Sequence, residues 1–170
     1  MKYLYEEKVY RKTQHHLFAK FVEKRCTDKT ILDIGCGEKW LYPFLINSTI
    51  TSVDKWEKTK PDYVLDVGKE ELPFKDNAFD LVLMIDVIEH MIKEEGLFAL
   101  KEAQRVCRKR MLLLTPVIWD SNENVNEKSF HYGNPNNLHK SLWTPDDFKD
   151  FGRIKSVFSF NEYFFGWWYK

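Results

Sequence analysis

Apolar residues in this chain fall into short runs whose period changes from one run to the next. Between residues 79 and 85, Phe79-Asp80-Leu81-Val82-Leu83-Met84-Ile85 is apolar at all but one position. Such a run predicts a central parallel strand covered on both faces. Shorter runs predict strands at 30–34, 50–53, 62–65 and 111–114, the last stopped by Thr115-Pro116. Between the strands the period lengthens. Leu97, Leu100, Ala103 and Val106 make one stripe of an amphipathic helix at 93–108. A short helix is expected at 39–46, and Leu17, Phe18, Phe21 and Val22 mark a leading helix within residues 1–25. Another helix opens at 144–148, with Thr144 as N-cap and Pro145 at the first helical position. Two β-rich runs, 154–160 and 163–169, close the chain. The two residues between them, Asn161-Glu162, suit an antiparallel hairpin.

Alternating strands and helices imply a parallel sheet, whose ligands bind beyond the carboxyl ends of the strands. The first such end is Ile31-Leu32-Asp33-Ile34-Gly35-Cys36-Gly37, where glycines let the main chain turn tightly and approach a bound molecule. The second strand ends in Asp54, 21 residues beyond Asp33, which places a carboxylate where ribose hydroxyls bind. A dinucleotide reading is less apt. Trp40 stands where G-x-G-x-x-G needs its third small residue, and an acid two residues before the first glycine suits an ammonium better than a pyrophosphate.

Four stretches, in this order and spacing, carry a family likeness: residues 31–37, Ser52 to Asp54, the segment from Glu71-Leu72-Pro73-Phe74 to Leu83, and Asp86-Val87-Ile88-Glu89-His90. On them the chain resembles a class I S-adenosylmethionine-dependent methyltransferase of the type 11, ubiquinone-biosynthesis-like group. The resemblance covers roughly residues 30 to 115. It implies an α/β fold: a Rossmann-like, doubly wound, seven-stranded sheet, mostly parallel, with the C-terminal hairpin antiparallel. It implies S-adenosylmethionine as cofactor. Asp33 would then hold the methionine ammonium, directly or through water, while Gly35, Cys36 and Gly37 pass beneath the cofactor. Asp54, with Lys55 beside it, would accept the ribose hydroxyls. Asp66 and Val67 would meet the adenine, and Asp86 and Val87 the methionine portion. Two positions depart from the family pattern: Lys39 replaces its third glycine, and Asp66 stands six residues before Leu72, farther than is common. Taken singly, Asp54 and Asp86 read equally well as helix caps.

A chain of 170 residues makes one domain, here 1–170, able to bury about 70% of its unfolded surface without disulfides or metal. Cys26, Cys36 and Cys107 form no C-x-x-C pair, as in a reduced, cytoplasmic protein. No signal core and no spanning stretch of roughly 20 apolar residues is present, so no membrane partner is expected. With 26 basic and 26 acidic residues, no overall field draws the chain to nucleic acid. Residues 1 to 25 nonetheless hold seven Lys/Arg against three Glu, and Arg105-Val106-Cys107-Arg108-Lys109-Arg110 is a basic cluster. Both read as solvated helix faces or cations at a helix C-terminus rather than a phosphate patch.

Substrate choice is expected in the 27 residues 117–143, which carry Asn122, Asn124, Asn126, Asn134, Asn136 and Asn137 among Trp119, Phe130, Tyr132 and Trp143. Amides alternating with flat apolar faces suit a small polar acceptor such as a sugar or metabolite. The same asparagines also suit a plain surface loop. Within it His131 and His139 are the candidate general bases. Neither His15-His16 nor the spacing of His131 and His139 is a zinc signature, so no metal is expected, and Glu89 and His90 read as structural. Protein or RNA methylation and a non-catalytic scaffold are the alternative functions. The aromatic end 163–169 is either an inner strand or a dimer edge, which leaves the oligomeric state open.

Overall fold

A computed structural model describes residue 22 and residues 28–149, 151, 154–160 and 163–169. Except for Val22, which is buried, the leading helix expected in 1–25 lies outside them, as does the turn 161–162. The strands are β1 (Thr30–Ile34), β2 (Thr49–Asp54), β3 (Tyr63–Val64), β4 (Phe79–Ile85), β5 (Cys107–Pro116), β6 (Ile154–Phe160) and β7 (Tyr163–Tyr169), with one α-helix, α1 (Lys93–Val106), among the described residues. They form one sheet in the order β3-β2-β1-β4-β5-β7-β6. The first five are mutually parallel, and β7 pairs antiparallel with both β5 and β6. The aromatic C-terminal run is therefore an inner strand.

Strand alternation sorts the core onto two faces. Leu32, Ile34, Val82, Met84, Met111, Leu113, Phe164 and Trp168 pack on one side with α1, Trp143 and Phe148. Ile31, Leu81, Leu83, Ile85, Leu112, Leu114 and Phe165 pack on the other with Leu41, Leu45 and Val22. All seven residues of β4 are buried, as its unbroken apolar run requires.

The shorter helices come out differently. The segment 39–46 forms only a 3-10 helix, Tyr42–Phe44, with Pro43 inside it and Lys39 left-handed at φ 58°. Proline lacks the amide that an α-helix would need there, and Ser48 already leads into β2. The segment 144–148 is likewise a 3-10 helix, Pro145–Phe148, although Thr144 is its N-cap as expected and forms a capping box with Asp147. The helix expected at 93–108 stops at Val106, because residues 107–110 extend β5 beside β4.

That extension corrects the reading of the basic cluster. Arg108 and Lys109 reach the buried Asp80 at 2.7 and 2.8 Å, and Arg110 reaches the buried Asp28 at 3.0 Å. Arg105 donates to Glu102, Asp76 and the carbonyls of Leu72 and Phe74, which pins the loop before β4. Burial works to raise the Asp80 carboxyl, but Lys109 and Arg108 overcome it and hold the group well below the usual carboxylate range.

Candidate active site

The carboxyl ends of β1, β2 and β4 open onto one crevice. After β1 the chain turns through Gly35 at φ +71° and Gly37 at φ +46°, and the amides of Gly35 and Cys36 both donate to the Val53 carbonyl, at 2.7 and 3.2 Å. A Cβ on Gly35 would lie 2.4 Å from Val87 Cγ2, so only glycine fits between the loop and the end of β4. Asp54 joins the two loops: Oδ2 accepts from the Gly37 amide at 3.0 Å and Oδ1 from the Trp56 amide at 2.8 Å. Although Asp54 thus holds the local turn at Trp56, it provides no side-chain cap to the 3-10 helix Glu57–Thr59. Lys55 pairs with Asp66 at 2.7 Å, and the Gly68 amide donates to Asp66. Asp86, itself left-handed at φ 53°, donates its amide to Leu114 and does not cap the 3-10 helix Ile88–His90.

Around these groups lies a crevice of about 110 Å3. Its lining includes Gly35, Gly37, Asp54, Lys55, Asp66, Val67, Asp86 and Val87, eight of the ten residues expected to meet a cofactor. Cys36 lines an adjoining cavity instead, with its thiol 3.8 Å from Thr59 Oγ1 in the crevice wall, and Asp33 lines neither. Asp33 lies behind the glycine loop, where burial raises its carboxyl to about 7, the Tyr42 hydroxyl opposes the shift, and the Asp54 charge adds to it. Burial also pushes the Cys36 thiol up to about 12, so this cysteine is no ready nucleophile.

The loop 117–143 folds over the crevice. Asn134, Asn136, Asn137, His131 and Lys140 join the lining from it. Phe130 meets Trp56 edge to face at 5.7 Å, which ties the loop to the far wall. Its other end is anchored through Glu89, whose carbonyl accepts from the Lys140 and Ser141 amides at 2.7 and 3.2 Å. Trp143, fully buried, donates from Nε1 to the Ile88 carbonyl at 3.1 Å.

Beside the crevice is a wider cavity of about 560 Å3. It shares Gly35, Gly37, Asp86, His90, His131 and Asn137 with the first and adds Glu89, Asp120 and His139. Glu89 is almost wholly buried; burial pushes its carboxyl well above the usual range, and the Asp86 charge pushes the same way. His90 is held down to about 4 by burial and by the neighbouring His139, so it stands neutral. Sequence reading treated Glu89 and His90 as structural and passed over Thr59, Met91, Glu95 and Lys140 in the crevice wall. Only the fold brings these together.

The site has the features an S-adenosyl cofactor needs: a glycine floor without Cβ atoms, a carboxylate at the end of β2, and apolar Leu65, Val67, Val87 and Met91 beside Asp66. Residues 32–115 match the family described as a methyltransferase domain. An uncharacterized protein of Methanocaldococcus jannaschii, MJ0638, is 32% identical over 155 residues, 87% of this chain; the chain spans 64% of that relative's length. Among solved structures, the PH0226 protein from Pyrococcus horikoshii OT3 superimposes with a TM-score of 0.67 at 19% identity, covering 95% of this chain and 90% of that one. A SAM dependent methyltransferase from Aquifex aeolicus does so with a TM-score of 0.57 at 19% identity, covering 88% and 87%. At those identities the structures speak for the fold. The family match over residues 32–115 and the sheet order support a class I S-adenosylmethionine-dependent methyltransferase domain, with S-adenosylmethionine as its cofactor. The matches carry the class and not the ubiquinone-biosynthesis-like subgroup. Among the described residues no helix is long and apolar enough to cross a membrane.

Proposed function

We propose that this protein moves a methyl group from S-adenosylmethionine to a hydroxyl or amine of a small polar acceptor. The observation that carries this reading is the shared wall: six residues line both the crevice and the wider cavity, so a cofactor in one and an acceptor in the other would meet at Gly35, Asp86 and His131. Bound there, the sulfonium cofactor supplies an already activated methyl group.

The chain's own work is then chiefly alignment, which alone lowers a barrier by many kcal/mol. Gly35 and Gly37 admit the cofactor, Asp54 and Asp66 orient its polar groups, and Val67 and Val87 cover its apolar ones. Asn137, Asn122 and Asp120 face the acceptor cavity with both donors and acceptors, which fits a polar, hydroxylated guest. His131 and His139 line the same cavity and are the imidazoles placed to receive the acceptor's proton.

The test is transfer of a labelled methyl group to a panel of small alcohols, sugars and amines, run in parallel with protein and RNA fractions. Label on a small acceptor supports the proposal. Label confined to RNA or protein, with salt-sensitive binding, would overturn the acceptor class in favour of macromolecular docking through the basic segment 1–25. Cofactor binding without transfer to any of the three would point to a scaffold.

A further inference from the structure

We propose that Glu89, His90 and His139 form a site for one divalent transition-metal ion in the wall of the acceptor cavity. One ligating atom from each of the three lies within 4.8 Å of the others. Two of the residues are adjacent in the 3-10 helix Ile88–His90 that follows β4, and the third comes from the loop 117–143. The amides of Lys140 and Ser141 on the Glu89 carbonyl hold the two segments together. The grouping is therefore built by the backbone, not left to flexible side chains.

The surroundings of each ligand are those of a metal site. His90 Nδ1 lies 3.3 Å from the Leu138 carbonyl, which can only accept, so Nδ1 carries the proton and Nε2 keeps its lone pair. Glu89 Oε2 accepts from Thr115 Oγ1 at 3.0 Å, which fixes the carboxylate plane. Glu89 is 1% exposed, and among the described residues no lysine or arginine forms an ion pair with it. A carboxyl so buried gains most from a cation. Asp86, on the same wall, adds negative charge.

Two imidazoles with one carboxylate favour a first-row transition ion over magnesium or calcium, which prefer oxygen alone. Bonds of about 2.1 Å set tetrahedral donors about 3.4 Å apart, so no pair of donors must close by more than about 1.4 Å around the ion. Three protein ligands leave coordination positions open toward the cavity. The ion's catalytic use rests on the methyltransferase reading, whereas its binding does not. It would lower the pKa of an acceptor hydroxyl. The hydroxyl proton passes to His131, the oxygen lone pair forms the new O–C bond, and the C–S electron pair returns to sulfur. His139 is then a ligand, and His131 alone of the two imidazoles remains to take the proton.

The experiment uses the full chain, stripped with EDTA and titrated with Co2+, followed by visible absorption, and with Zn2+ by calorimetry, in the absence of cofactor. One ion per chain at micromolar affinity or tighter is expected. His139→Ala and Glu89→Gln should each weaken binding at least 10-fold, while His131→Ala leaves it unchanged. Glu89 is buried, so circular dichroism checks the fold of Glu89→Gln, and the less buried His139 supplies the independent variant. Neither absorption bands nor heat, or affinity undiminished in both variants, would overturn the site. S-adenosylmethionine is titrated separately into the stripped protein. Metal binding without cofactor binding would support the site and contradict the methyltransferase reading.

Discussion

At position 33 a carboxyl is enclosed behind the glycine loop, and burial first of all raises it to about 7. In the unfolded chain it ionises near 3.8. Its contribution to stability is therefore full below about pH 4 and is lost as pH rises toward 7, because folding must return a proton or bury a charge. Asp33→Asn is expected to match wild type near pH 4 and to exceed it at pH 8 by a few kcal/mol, about the size of such a shift. Urea unfolding at both pH values checks this. Lys39 is a second local case, left-handed where the family carries glycine, with Nζ donating to the Lys60 carbonyl at 2.6 Å. The left-handed conformation costs a side-chain residue about 1 kcal/mol, so Lys39→Gly should leave the unfolding free energy from urea titration within about 1 kcal/mol of wild type. At this scale the gathering of glycines and acids from three strand ends around one crevice was largely legible, since strand ends of a parallel sheet converge there. Asp33 was not: sequence gives the strand end but not which face of the sheet a side chain takes. Glu89, His90 and His139 were equally hidden, being 49 residues apart from His90 to His139 along the chain.

Among elements, α1 and its neighbours set the shape of the acceptor loop. A Cβ on Gly96 would lie 2.4 Å from Trp143 Cζ2, so helix and loop meet without room for a methyl group. Gly96→Ala should displace Trp143, cost about 2 kcal/mol as overpacking does, and loosen the attachment of Ser141 to Ile88 and Met91. Thermal melting and hydrogen exchange at residues 88–91 would show both effects. The strands were readable because four to seven apolar residues between turn signals have one common outcome. The helices at 39–46 and 144–148 were not, since their apolar spacing fits a 3-10 helix as well, and each carries a proline that limits backbone bonding. The boundary of α1 was missed for another reason. Residues 107–110 are chosen as strand by Asp80 and Asp28, partners far away in sequence.

Across the whole molecule the sheet separates two jobs. Its carboxyl edge carries the crevice, and its amino edge carries the cluster of Asp28 and Asp80 with Arg108, Lys109 and Arg110. Because Lys109 and Arg108 hold the Asp80 carboxyl low against its burial, its contribution to stability is present above the ordinary carboxylate range and is lost as pH falls through the lowered folded value. Asp80→Asn is expected to cost about 2 kcal/mol at pH 7, as lost hydrogen bonds to charged groups do, with the difference shrinking below pH 4. The cofactor end should be indifferent to that change, since the sheet lies between them. The central claim concerns that end, and the most direct measurement is calorimetric titration with S-adenosylmethionine and S-adenosylhomocysteine, repeated on Asp54→Ala. Micromolar binding of both ligands, weakened at least 10-fold in the variant while its fold is retained, is the expected result. No binding of either ligand to the wild-type chain, or binding that Asp54→Ala leaves untouched, would contradict it.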